Sequence, residues 1–413
     1  MDIPGMVKVK RIFNDEHIAD VEEAVRDQIL GLRLDIRKNS EIAVAVGSRG
    51  INNIDRIVAS AVGCLKELGA NPFIVPAMGS HGGATAKGQK EVLERYGITE
   101  ERTGAPIRSS MQVAELPRDG LENRVYMDRN AFGAAGTVVI NRVKVHTDFH
   151  GLHESGLMKM CVIGLGKHRQ ALEIHKYGVF GLRELMPKTA RQVLRHGNII
   201  AGIGVVENAY DRTMVIKAVR PADLEREDSR LLDICRANMP GLPVQKLEVL
   251  VVDWFGKNIS GTGIDTNIIG RMRIRSEKEP ETPDIKNIVI ADITEASHGN
   301  ATGIGLGDFI TRRLFEKIDF RYTYENVITS TFLERGKIPI IADTDRQALE
   351  YALRTCGTDA TGRAGIIRIR DTLHLEEMYV SPAVLDEIGD REDIEVIGEF
   401  GQILGPSGEF TQF

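Results

Sequence analysis

Short runs of apolar, β-branched residues alternate with amphipathic stretches along most of the chain. Residues 42–46 form such a run, 54–68 repeat apolar positions at helical spacing, 72–78 are again a run, and 87–96 return to helical periodicity. That alternation is the βαβα order of an α/β fold. The runs 138–140, 199–206 and 249–252 are apolar on both faces and have Gly, Asn or Asp near their ends. Strands covered on both sides read this way, so a largely parallel sheet is expected. A second alternation follows, with strands at 288–293, 338–342, 365–369 and 394–396 and helices over about 306–318 and over 346–355.

Between the two alternations lies Arg236-Ala-Asn-Met-Pro-Gly-Leu-Pro-Val, a polar, Pro/Gly-bearing piece that follows a charged helical pattern from Ala222. It reads as a linker with a boundary near Pro240. No fixed-period repeat or low-complexity tract is present, which removes solenoids and propellers. The expected architecture is two α/β domains, residues 1–240 and 241–413, with largely parallel sheets facing a central cleft. The first would carry the reactive lysine and histidines, and the second would close the cleft.

The 413 residues suit two or three compact units, and 42% hydrophobic with 27% charged residues is an ordinary globular balance. Lys plus Arg total 53 against 59 Asp plus Glu, a net charge of -6, so nucleic acid and anionic lipid are not expected partners. No stretch nears the roughly 18 apolar residues of a membrane span, and the N-terminus has no signal-peptide pattern, so a cytoplasmic protein is expected. Cys64, Cys161, Cys235 and Cys356 lie far apart without a Cys-x-x-Cys pair, which speaks for reduced thiols.

Histidine is the most unevenly placed residue. Five of ten, His146, His150, His153, His168 and His175, fall within 30 residues, and the segment Val139-Ile-Asn-Arg-Val-Lys-Val-His146 runs off the end of an expected strand. Open α/β sheets carry their ligands at such ends. Two chemistries can use the cluster. His146, His150 and His153 form a zinc set if the loop is partly helical, with Asp148 or Glu154 as base or ligand, and that arrangement would make a hydrolase. Alternatively, Lys159 and His175 act together with a histidine base. Lys159 is flanked by apolar residues, an environment that favours a reactive amine. The loop Gly79-Ser-His-Gly-Gly-Ala-Thr precedes a helix and can cradle a single phosphate through Gly79, Ser80 and Gly82. Phe255-Gly-Lys257-Asn-Ile-Ser-Gly-Thr-Gly is its Gly-rich counterpart in the second half, and Glu295-Ala-Ser-His298-Gly-Asn300 follows a later strand.

The ordered set Gly47-Ser-Arg49, Pro76-Ala-Met-Gly-Ser-His81, Val143-Lys-Val-His146-Thr-Asp-Phe-His-Gly, Glu154-Ser-Gly-Leu-Met-Lys159-Met and Ile163-Gly-Leu-Gly-Lys-His168, ending at His175, resembles the nickel-dependent lactate racemase family. The resemblance spans most of residues 40–180. It implies that Lys159 carries a covalent nickel-pincer nucleotide, the nickel complex of pyridinium-3,5-bisthiocarboxylic acid mononucleotide, and that His175 is the protein ligand to nickel. It further implies an isomerase that racemises or epimerises a 2-hydroxy acid, with maturation enzymes for the cofactor as partners. Removing the barely acidic α-hydrogen as hydride, while a base takes the hydroxyl proton, is easier than forming a carbanion. His81 and His146 suit the two bases, with His150 as substitute for the second, because imidazole exists in both protonation states near neutrality. Arg49 and Lys257 would anchor the carboxylate.

The chain departs from the family where substrate is handled. Val46 stands where an acid precedes the arginine, Ser48 replaces Thr, and Gly50 replaces Pro. If Asp265 and Asn267 align with the family's Asp-x-Asn, Gly270 and Arg273 replace its Gln-x-x-Lys pair. The cofactor pair is spared, so the expected substrate is a larger or more polar 2-hydroxy acid than lactate, met by Ser48, Lys257 or Asn258. A non-catalytic protein that binds the cofactor or a hydroxy acid is the remaining alternative, and a homo-oligomer is left open.

Overall fold

The computed structural model describes residues 3–47, 50–275, 277–357, 363–389 and 391–413. The chain is a mixed α/β protein with mostly parallel sheets, divided into two compact units, Asn14–Met239 and the pair of segments Met1–Phe13 and Pro240–Phe413. β1 (Val7–Arg11) explains the second unit's composition. Residues 1–13, assigned above to the first domain, belong instead to the second unit, because β1 makes antiparallel ladders with two strands from the far end of the chain. Its apolar positions Val7 and Val9 are buried there, a long-range pairing that local periodicity cannot reveal.

In the Asn14–Met239 unit, β2 (Glu41–Val46) and β3 (Asn71–Pro76) are followed by a small antiparallel hairpin, β4 (Val113–Leu116) and β5 (Val125–Asp128). Then come β6 (Gly136–Arg142), β7 (Ile199–Glu207) and β8 (Thr213–Val219). The sheet runs β3-β2-β6-β7-β8, parallel except for β8. From β2 the chain first steps outward to β3 and then returns to the other side at β6. The carboxyl ends of β2 and β6 therefore flank the point where strand order reverses, the place where such sheets bind ligands. Helix Ile54–Glu67 covers the sheet with the stripe Ile54, Ile57, Val58, Ala61, Val62 and Leu65, apolar positions three and four apart.

The other unit holds β9 (Lys246–Phe255), β10 (Asp284–Ile293), β11 (Phe309–Thr311), β12 (Ile340–Ala342), β13 (Ile366–Ile369), β14 (Glu377–Val380) and β15 (Ile394–Val396). Its order is β12-β11-β10-β9-β13-β14-β1-β15, parallel from β12 to β13 and antiparallel beyond. The helix expected over 306–318 is a correction: Phe309 and Ile310 pair between β10 and β12, and only Arg312–Glu316 is helical, capped by Thr311. Two adjacent apolar residues in a short run do not distinguish strand from helix, and the sheet decided. Among the described residues no helix is long and apolar enough to cross a membrane, and all four cysteines are free and buried.

Leu65 is fully buried between its helix and the sheet. Leu65→Ala should lower the unfolding free energy by about 2–5 kcal/mol, read as a lower urea midpoint at unchanged slope.

Candidate active site

Every loop singled out from the sequence in the first half leaves a carboxyl end of the parallel sheet. Gly47 follows β2, the loop Met78–Gly83 follows β3, and the segment from Val143 to Lys159 follows β6. Arg49 and Ser48 lie outside the described residues.

The long segment after β6 has little regular structure, and buried carboxylates shape it. Glu154 accepts the backbone N–H of His146 at 2.5 Å and that of Gly151 at 3.2 Å, the guanidinium of Arg236 at 2.7 Å, and lies 3.3 Å from His150 Nδ1. Burial works to raise its carboxyl, but the bonds from His150, His146 and Arg236 outweigh it and hold the group below its ordinary value. Asp228, on helix Pro221–Ala237, accepts the Leu157 N–H at 2.5 Å and meets His153 Nδ1 at 3.0 Å. It thereby caps the helical turn Leu157–Lys159, whose N-cap residue Gly156 has no side chain to do so. Asn141 at the end of β6 donates to Gly156 O at 3.0 Å and fixes the same turn to the sheet.

This geometry overturns the zinc reading. His153 is buried against Asp228, with Glu225 3.6 Å from its other nitrogen, while His150 turns to Glu154. Glu154 is a structural hub and not a base. Among the described residues no group of three or more His, Cys, Asp or Glu side chains is arranged to hold a metal ion.

His146 is nearly buried, with its ring 4.7 Å from that of Phe149. Its Nδ1 accepts the Asp148 N–H at 3.0 Å, which assigns the proton of the neutral ring to Nε2. The Asp148 carboxylate lies 3.8 Å from the same Nδ1.

Lys159 is half-buried and is followed by a widened turn, Met160–Gly164, in which Leu165 N–H reaches back five residues to Met160 O at 2.9 Å. Such π turns are frequent at functional sites. Helix Lys167–His175 then ends at His175. Solvent reaches the His175 ring, yet burial foremost, and then the ammonium of Lys159, lower its imidazole below the ordinary value, with Asp148 opposing. Lys159 and Asp148 thus act in opposite directions on the imidazole of His175.

The loop after β3 packs on that widened turn. Gly79 has φ +60°, and a Cβ there would stand 3.0 Å from Ile163 Cγ2. Gly82, at φ +63°, lies so close to the start of helix Ala86–Arg95 that a Cβ would fall 2.6 Å from Gln89 N. These glycines are required for close approach. Thr85 Oγ1 accepts the Gly88 N–H at 3.0 Å and caps that helix, and Gly82–Ala84 form their own tight turn between the loop and the helix. His81 and Ser80 are exposed on this loop.

Lys167 follows the widened turn as the first residue of the helix that ends in His175. It is fully buried at φ +57°, with its ammonium on Pro76 O, 3.2 Å from Gln89 Oε1 and 3.1 Å from Asp128. Burial lowers its pKa and Asp128 works against that. Neither it nor Asp228, set among charged neighbours on an amphipathic helix, carries a local signal that separates it from a solvated side chain.

Lys257 belongs to the other unit, just past β9, where its ammonium donates to Gly261 O at 2.5 Å. Asn258 there accepts the Thr294 hydroxyl at 2.6 Å. Asp265 caps the turn Thr266–Ile269 and accepts from Asn267. That unit also contains a cavity of about 770 Å³ at the ends of β9, β10 and β13. Its charged groups are mutually paired, Arg368 with Asp253 and Arg313 with Asp292 and Asp345, and it includes none of the residues selected from the sequence.

No protein-family model and no curated protein sequence matches the chain. Among solved structures, the lactate racemase apoprotein from Thermoanaerobacterium thermosaccharolyticum is similar, with a TM-score of 0.50 at 10% identity over 89% of this chain and 98% of that one. A structural-genomics protein from Thermotoga maritima gives 0.48 at 12% identity over 76% of this chain and 80% of that one. At these identities the likeness is one of fold.

Replacing Glu154 by Gln leaves buried donors facing an amide and should cost about 2–4 kcal/mol at neutral pH. Because the folded carboxyl titrates below the ordinary 4.5, its contribution is present above that value and is lost as pH falls through the lower folded one. Urea midpoints of parent and Glu154→Gln should therefore converge below about pH 4.5.

Proposed function

We propose that the chain is a racemase or epimerase of 2-hydroxy acids that carries a nickel-pincer nucleotide on Lys159. The observation that carries this reading is the placement of Lys159 and His175 on the two sides of one widened helical turn, in the segment that follows the carboxyl end of β6. The Lys159 ammonium is among the causes that lower the His175 imidazole below its ordinary value, after burial. That donor set fits the group: Lys159 would hold the nucleotide and His175 would ligate the nickel, and the one-histidine ligation asks for no cluster of acidic or thiol ligands. When bound, the nucleotide supplies an electrophilic acceptor for the substrate's α-hydrogen as hydride.

The chain's own residues hold and move protons. His81, exposed on the loop that packs against the turn after Lys159, is one base for the hydroxyl proton. His146 is the other. For it to accept at Nε2, its proton must sit on Nδ1, and the Asp148 carboxylate, 3.8 Å from that nitrogen, would have to close in to receive the Nδ1–H in place of the backbone bond. Asp148 thus serves both imidazoles, since it also opposes the lowering of the His175 pKa. Arg49, which follows β2 in sequence, is proposed for the substrate carboxylate. The substitutions around Arg49 favour a dicarboxylate or an aldonate over lactate.

Protein produced with the cofactor-maturation enzymes should show added mass that Lys159→Ala abolishes. Chiral chromatography of a panel of 2-hydroxy acids should show inversion for at least one. His81→Ala should then retain the mass and lose about 10²- to 10⁴-fold in kcat. A co-matured sample with native mass and no inversion overturns the reading.

A further inference from the structure

We propose that Lys167 and Gln89 are positioning residues that fix the loop bearing His81. Gln89 is fully buried, and its Oε1 faces the Lys167 ammonium at 3.2 Å. An ammonium only donates, so the Gln89 carbonyl must point to it and the amide N–H₂ must point away. The two donors so directed reach Gly79 O at 2.9 Å and His81 O at 3.3 Å. The charge therefore sets the orientation of an amide, and the amide holds the backbone on both sides of Ser80.

Stability alone does not ask for this arrangement. Lys167 and its partner Asp128 are both fully buried, and taking two such charges out of water generally costs about as much as their attraction returns, so the ion pair by itself adds little net stability. Lys167 also sits at a positive φ that is unfavourable for a lysine. What an apolar pair cannot do is tell the Gln89 amide which way to face. The same ammonium touches Pro76 O at the end of β3, Gln89 and Asp128 at the end of β5. The Lys167 backbone opens the helix that ends in His175, and Gly164, three residues earlier, accepts the Gly79 N–H at 3.4 Å. The His81 loop is thereby referenced to the segment that carries Lys159 and His175.

The inference rests on reading His81 as a proton carrier, and its first test does not need the reaction. Gln89→Glu keeps the size and an acceptor for Lys167 but has no donor for the two carbonyls. In protein with ¹⁵N-labelled histidine, the His81 ring resonances should shift or broaden while those of His17 and His196 stay put. The Ala84 amide should exchange about tenfold faster. In co-matured enzyme kcat should fall about 10- to 100-fold with KM nearly unchanged. Gln89→Leu serves as the second variant if the glutamate does not fold. His81 resonances that coincide with the parent's in a folded variant overturn the positioning role, whatever the reaction proves to be. Moved His81 resonances in an enzyme without racemase activity support the brace and count only against the proposed function.

Discussion

Two carboxylates buried without solvent, Glu154 and Asp228, give the segment between β6 and Lys159 a single shape. That segment is too irregular to be held by ladders of backbone bonds, and its N–H groups would otherwise be orphaned away from water, each at a cost comparable to a lost hydrogen bond. Glu154 gathers two N–H groups, one histidine and one arginine, and Asp228 gathers one N–H and one histidine. Asp228 is placed by helix Pro221–Ala237 in the body of the unit, and Glu154, which belongs to the segment, is tied to the same helix through Arg236. The orientation of His146 and the start of the turn that presents Lys159 follow from them.

This explains why histidines that look alike in sequence do different work. His150 and His153 are partners of the anchoring carboxylates, whereas His146 lies beside Asp148, and His175 is exposed at the end of its helix. Clustering along the chain does not tell which rings are held by buried carboxylates and which are not. Spacing of three and four residues suggested a shared helical face, but the loop is not helical, so the rings diverge.

The fold was legible because strands covered on both faces have a composition that helices cannot mimic over several neighbouring runs. The carboxyl-edge placement of the loops followed directly from that order. What could not be read were contacts made at long range. β1 joins strands more than 360 positions away, Asp228 caps a turn 71 residues earlier, and the Lys167 ammonium reaches Pro76 O across 91. Each depends on burial, and a lysine or aspartate has no local pattern that announces it. The stretch 309–311 failed for the opposite reason, since its local pattern was compatible with either periodicity and the neighbouring strands chose.

The widened turn Met160–Gly164 sets an angle as well as a distance. A helical residue advances the chain by about 100° around its axis, so removing one residue from this turn would swing Lys159 by more than a quarter circle relative to the segment that follows. A single-codon deletion here would therefore rotate Lys159 relative to the helix that ends in His175, with both side chains still present. Length in this stretch is a quantity that natural variation is expected to guard more closely than the identity of the residues that fill it.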